Sequence, residues 1–135
     1  SIEFEVLRFS NANVQNAETA HVLVIDNIGL LSSLYAYADI AYVGGGFGKG
    51  IHNILEAASF GMPIFIGPNN QNFQEAVDLK NIGVAIEIKS AQEMIAQCDL
   101  LLTRPNRWIW LKEKSKQYVR EKSGATKKIV RKVFK

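Results

Sequence analysis

Short apolar, β-branched runs alternate along this chain with stretches whose apolar residues recur at helical spacing. A segment patterned for a helix does not settle as a strand, so this alternation confines the chain to βαβ units and mostly parallel strands, an α/β architecture. The segment Glu3–Phe9 alternates as a strand would, and residues 11–20 are polar and read as a connection. His21-Val-Leu-Val-Ile25 is a continuous apolar run, as expected of a strand covered on both faces. Leu30, Leu31, Leu34 and Ala38 then repeat at helical spacing, and Ile40-Ala-Tyr-Val43 is the next strand. A helix over residues 53–60 is predicted to stop at Gly61, with Pro63 just beyond. Ile64-Phe-Ile66 is a strand, residues 73–80 a helix ended near Gly83, and Val84–Ile88 a strand. Ser90 and Glu93 have the spacing of a capping box for a helix reaching about Thr103. Pro105 opens a basic helix to about Lys122; Ser123-Gly124 is expected to interrupt it before a last helix over residues 125–134.

The length of 135 residues suits one domain, and 47% hydrophobic residues suffice for a core. No apolar run approaches the roughly 20 residues of a spanning helix. Nothing resembles a signal peptide, and the first residue is Ser1, so the chain is expected to be a piece of a longer polypeptide. The lone Cys98 excludes an internal disulfide and a multi-cysteine zinc cage. Net charge is +3, but unevenly spread: residues 1–106 carry five bases against eleven acids, and residues 107–135 eleven bases against two. The basic block reads as a contact for an anionic membrane or nucleic acid, or as a solvated helix face.

Ligands of open α/β sheets sit beyond the carboxyl ends of the strands. Two loops qualify: Asp26-Asn27-Ile28-Gly29, and Gly44-Gly45-Gly46-Phe47-Gly48-Lys49-Gly50. Glycines let backbone approach a ligand closely, and the amides of a helix start favour an anion. Neither common phosphate loop fits. A dinucleotide fingerprint from Gly44 meets Lys49 at its sixth position, and from Gly46 it meets Ile51. A Walker A reading finds Val43 where glycine is needed and Gly50 where Ser or Thr is needed. Asn53 and Glu56, three apart, share a face near the start of the following helix. A carboxylate there could accept ribose hydroxyls while Asn53 and the helix amides meet a phosphate. The same pair could instead be a capping box that merely closes the helix end.

The segments Asp26-Asn-Ile-Gly29, Leu34-Tyr35, Ala38-Asp39-Ile-Ala-Tyr-Val-Gly-Gly45, His52-Asn53, Leu55-Glu56-Ala-Ala58, Pro63 and Gly67-Pro68 resemble the C-terminal half of the 3-deoxy-D-manno-octulosonic acid (Kdo) transferases. The resemblance is close over residues 21–80 and looser at Gly124-Ala125. It implies a three-layer Rossmann-like parallel sheet with flanking helices, one half of a GT-B glycosyltransferase fold. Residues 1–106 would be the body that binds the CMP-sugar. Residues 107–135 would be basic helices packing back on the domain or toward the missing N-terminal domain. The implied donor is CMP-Kdo and the acceptor a lipid A precursor in lipopolysaccharide synthesis. The parent enzyme would lie at the cytoplasmic face of the bacterial inner membrane.

Carried over position by position, the donor contacts would be Ile28, Gly29, Leu30, Gly45, Gly46, His52, Asn53, Ile54, Leu55 and Glu56. Glu56 would hold the ribose and Asn53 would face the phosphate. Leu30 stands where many members have Glu, so backbone contacts are implied there, and Ile54 replaces a frequent Pro. The family's Pro-Arg-His segment has no counterpart. The catalytic carboxylate and acceptor site belong to an N-terminal domain that the chain lacks, so no catalytic residue, no cofactor and no metal are expected. Two histidines far apart in sequence give a metal site little support, and nothing resembles a groove-reading motif for nucleic acid. Two alternatives remain: the nucleotide half of a UDP-sugar GT-B enzyme (a transferase or a UDP-N-acetylglucosamine epimerase), or a basic membrane- or nucleic-acid-binding module. His21 is expected to be structural, Cys98 and Phe73 to be core residues, and Asn69 to Asn72 to line the cleft.

Overall fold

The computed structural model describes residues 3–134, with the side chain of Thr126 excepted; Ser1, Ile2 and Lys135, at the ends of the two expected segments, lie outside the described residues. The chain forms two compact units, divided between Ala36 and Tyr37. Every strand pair in them is parallel.

In the first unit, β1 (Val6–Arg8) pairs with β2 (Val22–Val24), Val6 lying opposite Val22. The stretch between them is more than a connection. Asn13 and Asn16 exchange side-chain to backbone hydrogen bonds of 2.8 and 3.0 Å, and this reciprocal cap closes the single-turn helix α1 (Val14–Ala17). The expectation for β2 is corrected: Val22, Leu23 and Val24 are all exposed. The apolar run fits a covered strand, but among the described residues β2 pairs with β1 alone, in a two-stranded sheet, and its three residues stay 40–44% exposed. Helix α2 (Leu31–Tyr35) is shorter than its periodicity predicts, and none of its residues is buried. Helices this short gain little without a packed face.

The second unit is built on a sheet ordered β3 (Ala41–Val43), β4 (Ile64–Ile66), β5 (Ala85–Glu87), with Ala41, Ile64 and Ala85 in register. Central β4 is wholly buried, as a strand with both faces covered must be. Helices α3 (Ile54–Ser59), α4 (Gln74–Asn81), α5 (Ala91–Thr103) and α6 (Pro105–Val133) complete it. Asn53 caps α3, and Gly61 follows its end at φ +75°, the left-handed conformation that glycine tolerates best. At α5 the Ser90 hydroxyl accepts from the Glu93 amide, while the Glu93 carboxylate accepts from Lys89 rather than Ser90, so the expected box closes one residue upstream.

The largest departure is at the C-terminal end. Residues 105–133 form one continuous helix of 29 residues that runs through Ser123-Gly124. Glycine within a helix costs about 1 kcal/mol relative to alanine, which weakens a helix without ending it. Helix α6 falls within the second compact unit. Leu111 and Ser115 are buried, and the Ser115 hydroxyl donates to the Ala58 carbonyl at 2.7 Å, tying α6 to the end of α3. The Trp108 indole donates to the Asp39 carbonyl at 3.0 Å, and the Tyr118 hydroxyl donates to Asp78 at 2.9 Å. Further along, Ile129, Val130, Val133 and Phe134 are exposed among Lys127, Lys128, Arg131 and Lys132. Among the described residues, no helix is long and apolar enough to cross a membrane.

Candidate functional site

The glycine loop leaves the carboxyl end of β3 and is folded on itself. The Gly45 carbonyl accepts from the amides of Gly48 (2.9 Å) and Gly50 (3.2 Å), and the Gly44 carbonyl accepts from His52 (3.0 Å). Gly45 has φ +92°, and a Cβ there would stand 2.1 Å from the Gly50 carbonyl oxygen. At Gly50, with φ +144°, a Cβ would enter the half-buried ring of Phe73. Glycine is therefore required for shape at both positions, independently of any ligand.

The loop after β4 is pressed against this one. A Cβ on Gly46 would lie 2.6 Å from the Gly67 amide nitrogen, and one on Gly67 would lie 2.5 Å from the Gly46 carbonyl carbon. Asn69 completes the contact: its backbone amide donates to Gly46 and its side-chain amide to Gly48, each at 2.8 Å. Asn69 is exposed here, beside the glycine loop. Asn70 instead points inward and is fully buried.

The residues expected to meet a donor fall into two groups. Gly45, Gly46, His52, Asn53, Ile54, Leu55 and Glu56 lie together in the second unit, around the glycine loop and the start of α3. His52 to Leu55, with Ile51, Phe73 and Glu75, line a cavity of about 290 Å³. His52 is exposed, with its imidazole edge over Gly44 and Gly45. Ile54 is buried, so a ligand could meet only its backbone. Ile28, Gly29 and Leu30 lie in the first unit, after β2; Ile28 is fully exposed and Gly29 has φ +97°.

The question left open between a capping box and a ligand pair is answered in part by geometry. Asn53 does cap: its side-chain oxygen accepts from the Leu55 amide at 3.1 Å. Glu56 does not reciprocate. It sits half-buried in the first turn of α3, and its carboxylate has no hydrogen-bond or ion-pair partner among the described residues. An acceptor-only group so placed is suited to hydroxyl donors.

Two polar clusters escaped the sequence reading. In the first unit the Ser10 hydroxyl and amide both donate to Asp26, at 2.6 and 3.0 Å, joining the turn after β1 to the loop that carries Ile28. The hydroxyl bond, then the amide bond, hold the Asp26 carboxyl below its ordinary value. In the second unit Asn70, Lys80 and Glu87 bond to one another behind the Gly67 turn. The Lys80 ammonium, then the Asn70 amide, hold Glu87 below its ordinary value of 4.5. Gln74 and then Tyr118 do the same for Asp78. A carboxylate with a depressed folded pKa stabilises above its unfolded value, and that contribution is lost as pH falls through the folded value. The melting temperature is thus expected to hold above about pH 5 and to fall below about pH 4. Glu87→Gln should lower the plateau and flatten the acid limb; a calorimetric pH series in which the variant's limb matches the wild type's counts against this. Among the described residues, no three His, Cys, Asp or Glu side chains cluster so as to hold a metal ion.

Comparison with known proteins was made by family, sequence and fold. No protein-family profile matches the chain. It is 33% identical over 109 residues to the 3-deoxy-D-manno-octulosonic acid transferase of Bordetella pertussis, an alignment covering 79% of this chain and 26% of that enzyme. It is 32% identical over 111 residues to the enzyme of the same name from Aquifex aeolicus, covering 81% and 31%. With that of Rickettsia bellii it shares 35% over 89 residues, covering 65% and 21%. The chain thus spans about a third or less of these curated relatives. Among solved structures, it matches the C-terminal CMP-Kdo binding domain of WaaA from Acinetobacter baumannii with a TM-score of 0.73 and 26% identity, over 86% of this chain and 61% of that one. The α/β class with parallel strands flanked by helices is shared with that domain. In sequence and in fold, the chain is related to the 3-deoxy-D-manno-octulosonic acid transferases through a domain of their C-terminal kind.

Proposed function

We propose that this chain belongs to the donor-nucleotide half of a GT-B Kdo transferase, which holds CMP-Kdo while Kdo passes to a lipid A precursor. The observation that carries the reading is the sequence match to 3-deoxy-D-manno-octulosonic acid transferases together with the fold match to a CMP-Kdo binding domain. The site is consistent with it. Glu56, half-buried and without a side-chain partner among the described residues, would accept the two ribose hydroxyls. Asn53 spends its oxygen on the α3 cap, so its side-chain nitrogen would face the phosphate. Gly45, Gly46 and His52 would offer close backbone and an edge to the donor, Leu55 its half-buried flank, and Ile54 its backbone. For Ile28, Gly29 and Leu30, backbone contacts with the donor are what the family resemblance implies. No metal is invoked.

General acid–base chemistry needs a group within hydrogen-bond reach of the acceptor hydroxyl. That group and the acceptor site would lie in the parent's other domain, so this chain alone would bind donor without turning it over. The distal, basic part of α6 would turn toward that other domain and toward an anionic membrane at the cytoplasmic face of the inner membrane.

Titrating CMP into the 135-residue chain and following amide resonances tests the reading. Shifts are expected at residues 28–30 and 44–56, with CMP raising the melting temperature more than UDP does. Glu56→Ala is expected to weaken CMP roughly 10- to 100-fold, the worth of hydrogen bonds to a charged group. Unmoved amides in those segments, or protection by UDP in place of CMP, would overturn it.

A further inference from the structure

We propose that Asn70, Lys80 and Glu87 are positioning residues for this site: a polar bracket that holds the Gly67–Asn70 turn against the glycine loop. The proposal rests on the nucleotide reading above, but its physical basis is separate. Asn70 is fully buried and uses both ends of its side chain. Its nitrogen donates to the Gly67 carbonyl at 2.9 Å and to Glu87 at 3.0 Å, while its oxygen accepts from the Lys80 ammonium at 3.1 Å. Lys80 also pairs with Glu87 at 2.5 Å, both side chains being part-buried. The last turn of α4, the last residue of β5 and the turn after β4 thus converge on one amide.

What the bracket holds is the wall of the glycine loop. The turn it fixes carries Gly67, which meets Gly46 with no room for a methyl group, and Asn69, which donates twice to the loop's carbonyls. A loop with five glycines in seven residues has a large conformational entropy to lose when it closes on a ligand. Bonding its outer edge to a fixed turn removes part of that loss before binding. Stability alone does not call for such a device, since a part-exposed ion pair adds little to it. The bracket instead fits a requirement for geometry, with none of its members needing to touch the ligand.

Two variants and a control test the proposal in the 135-residue chain. Asn70→Ala is expected to weaken CMP about tenfold, and Lys80→Met, at a more accessible position, about threefold or more. In ligand-free spectra both should move the amide resonances of Phe47 and Gly48, neither of which bonds to the bracket directly. Tyr118→Phe, which breaks the link between α6 and Asp78, should lower the melting temperature yet leave CMP affinity and those resonances unchanged. Should Asn70→Ala not fold, Lys80→Met carries the same two measurements. Unchanged affinity with unmoved Phe47 and Gly48 amides would overturn the bracket, as would an equal loss of CMP in Tyr118→Phe. Failure of the wild-type chain to bind CMP would overturn the nucleotide reading instead, and the ligand-free spectra would still decide whether the bracket sets the loop.

Discussion

Gly45→Ala should destabilise the second unit by about 2–5 kcal/mol and eliminate measurable CMP binding. Two separate costs meet at this residue. Its φ of +92° is one that an L side chain rarely adopts, and the added methyl would stand 2.1 Å from the Gly50 carbonyl oxygen. The clash is with backbone, so no rotamer change relieves it. The Gly45 carbonyl also accepts from both Gly48 and Gly50, so displacing the residue releases the two bonds that close the loop. Gly48→Ala supplies the internal comparison. A methyl there would meet the Gly45 oxygen at an ordinary 3.6 Å, and stability should change by less than about 1 kcal/mol. Urea unfolding of the two variants checks the contrast; equal midpoints would show that the loop does not have this shape.

Leu111→Ala is the other large effect, expected to cost about 2–5 kcal/mol. Leu111 is 1% exposed on a helix whose sequence is dominated by charge, and it lies close to where the Ser115 hydroxyl bonds to α3. Were this segment only a solvated basic face, the same change would be worth within about 0.5 kcal/mol. The near-ultraviolet signal of Trp108 and Trp110 and the far-ultraviolet helix signal should lose amplitude in one shared transition, shifted down in the variant. Separate transitions, or an unshifted one, would show α6 to be an appendage.

The elements that could be read from sequence are those where local and tertiary signals agree. Ile64-Phe-Ile66 is a three-residue apolar run between a proline and a glycine, and it is β4 residue for residue. Asn53 and Gly61 bracket α3 because the same residues that favour a cap and a left-handed exit are used for both. The misread elements are those where the deciding term is not local. Val22, Leu23 and Val24 have the composition of a covered strand, but exposure is set by what packs over them. Ser123-Gly124 looks like a break, yet the helix passes through it. The place of Glu56 in the first turn of α3 follows from the helix predicted over residues 53–60. The Asn70 bracket was not legible, since Lys80 and Glu87 are ordinary surface-type residues until β5 and α4 bring them behind one turn.

The contact between Gly46 and Gly67 carries a consequence for how such a site can change over time. Most close contacts in proteins can drift, because a side chain enlarged on one side is accommodated by a smaller one on the other. Here both partners already have the smallest side chain available, and each would gain a clash with the other's backbone. No second substitution at either position can compensate a first. The two loops are therefore locked as a pair, and new specificity has to be found in residues that flank the contact, such as Phe47, Lys49 and Asn69, or by altering the length of a loop.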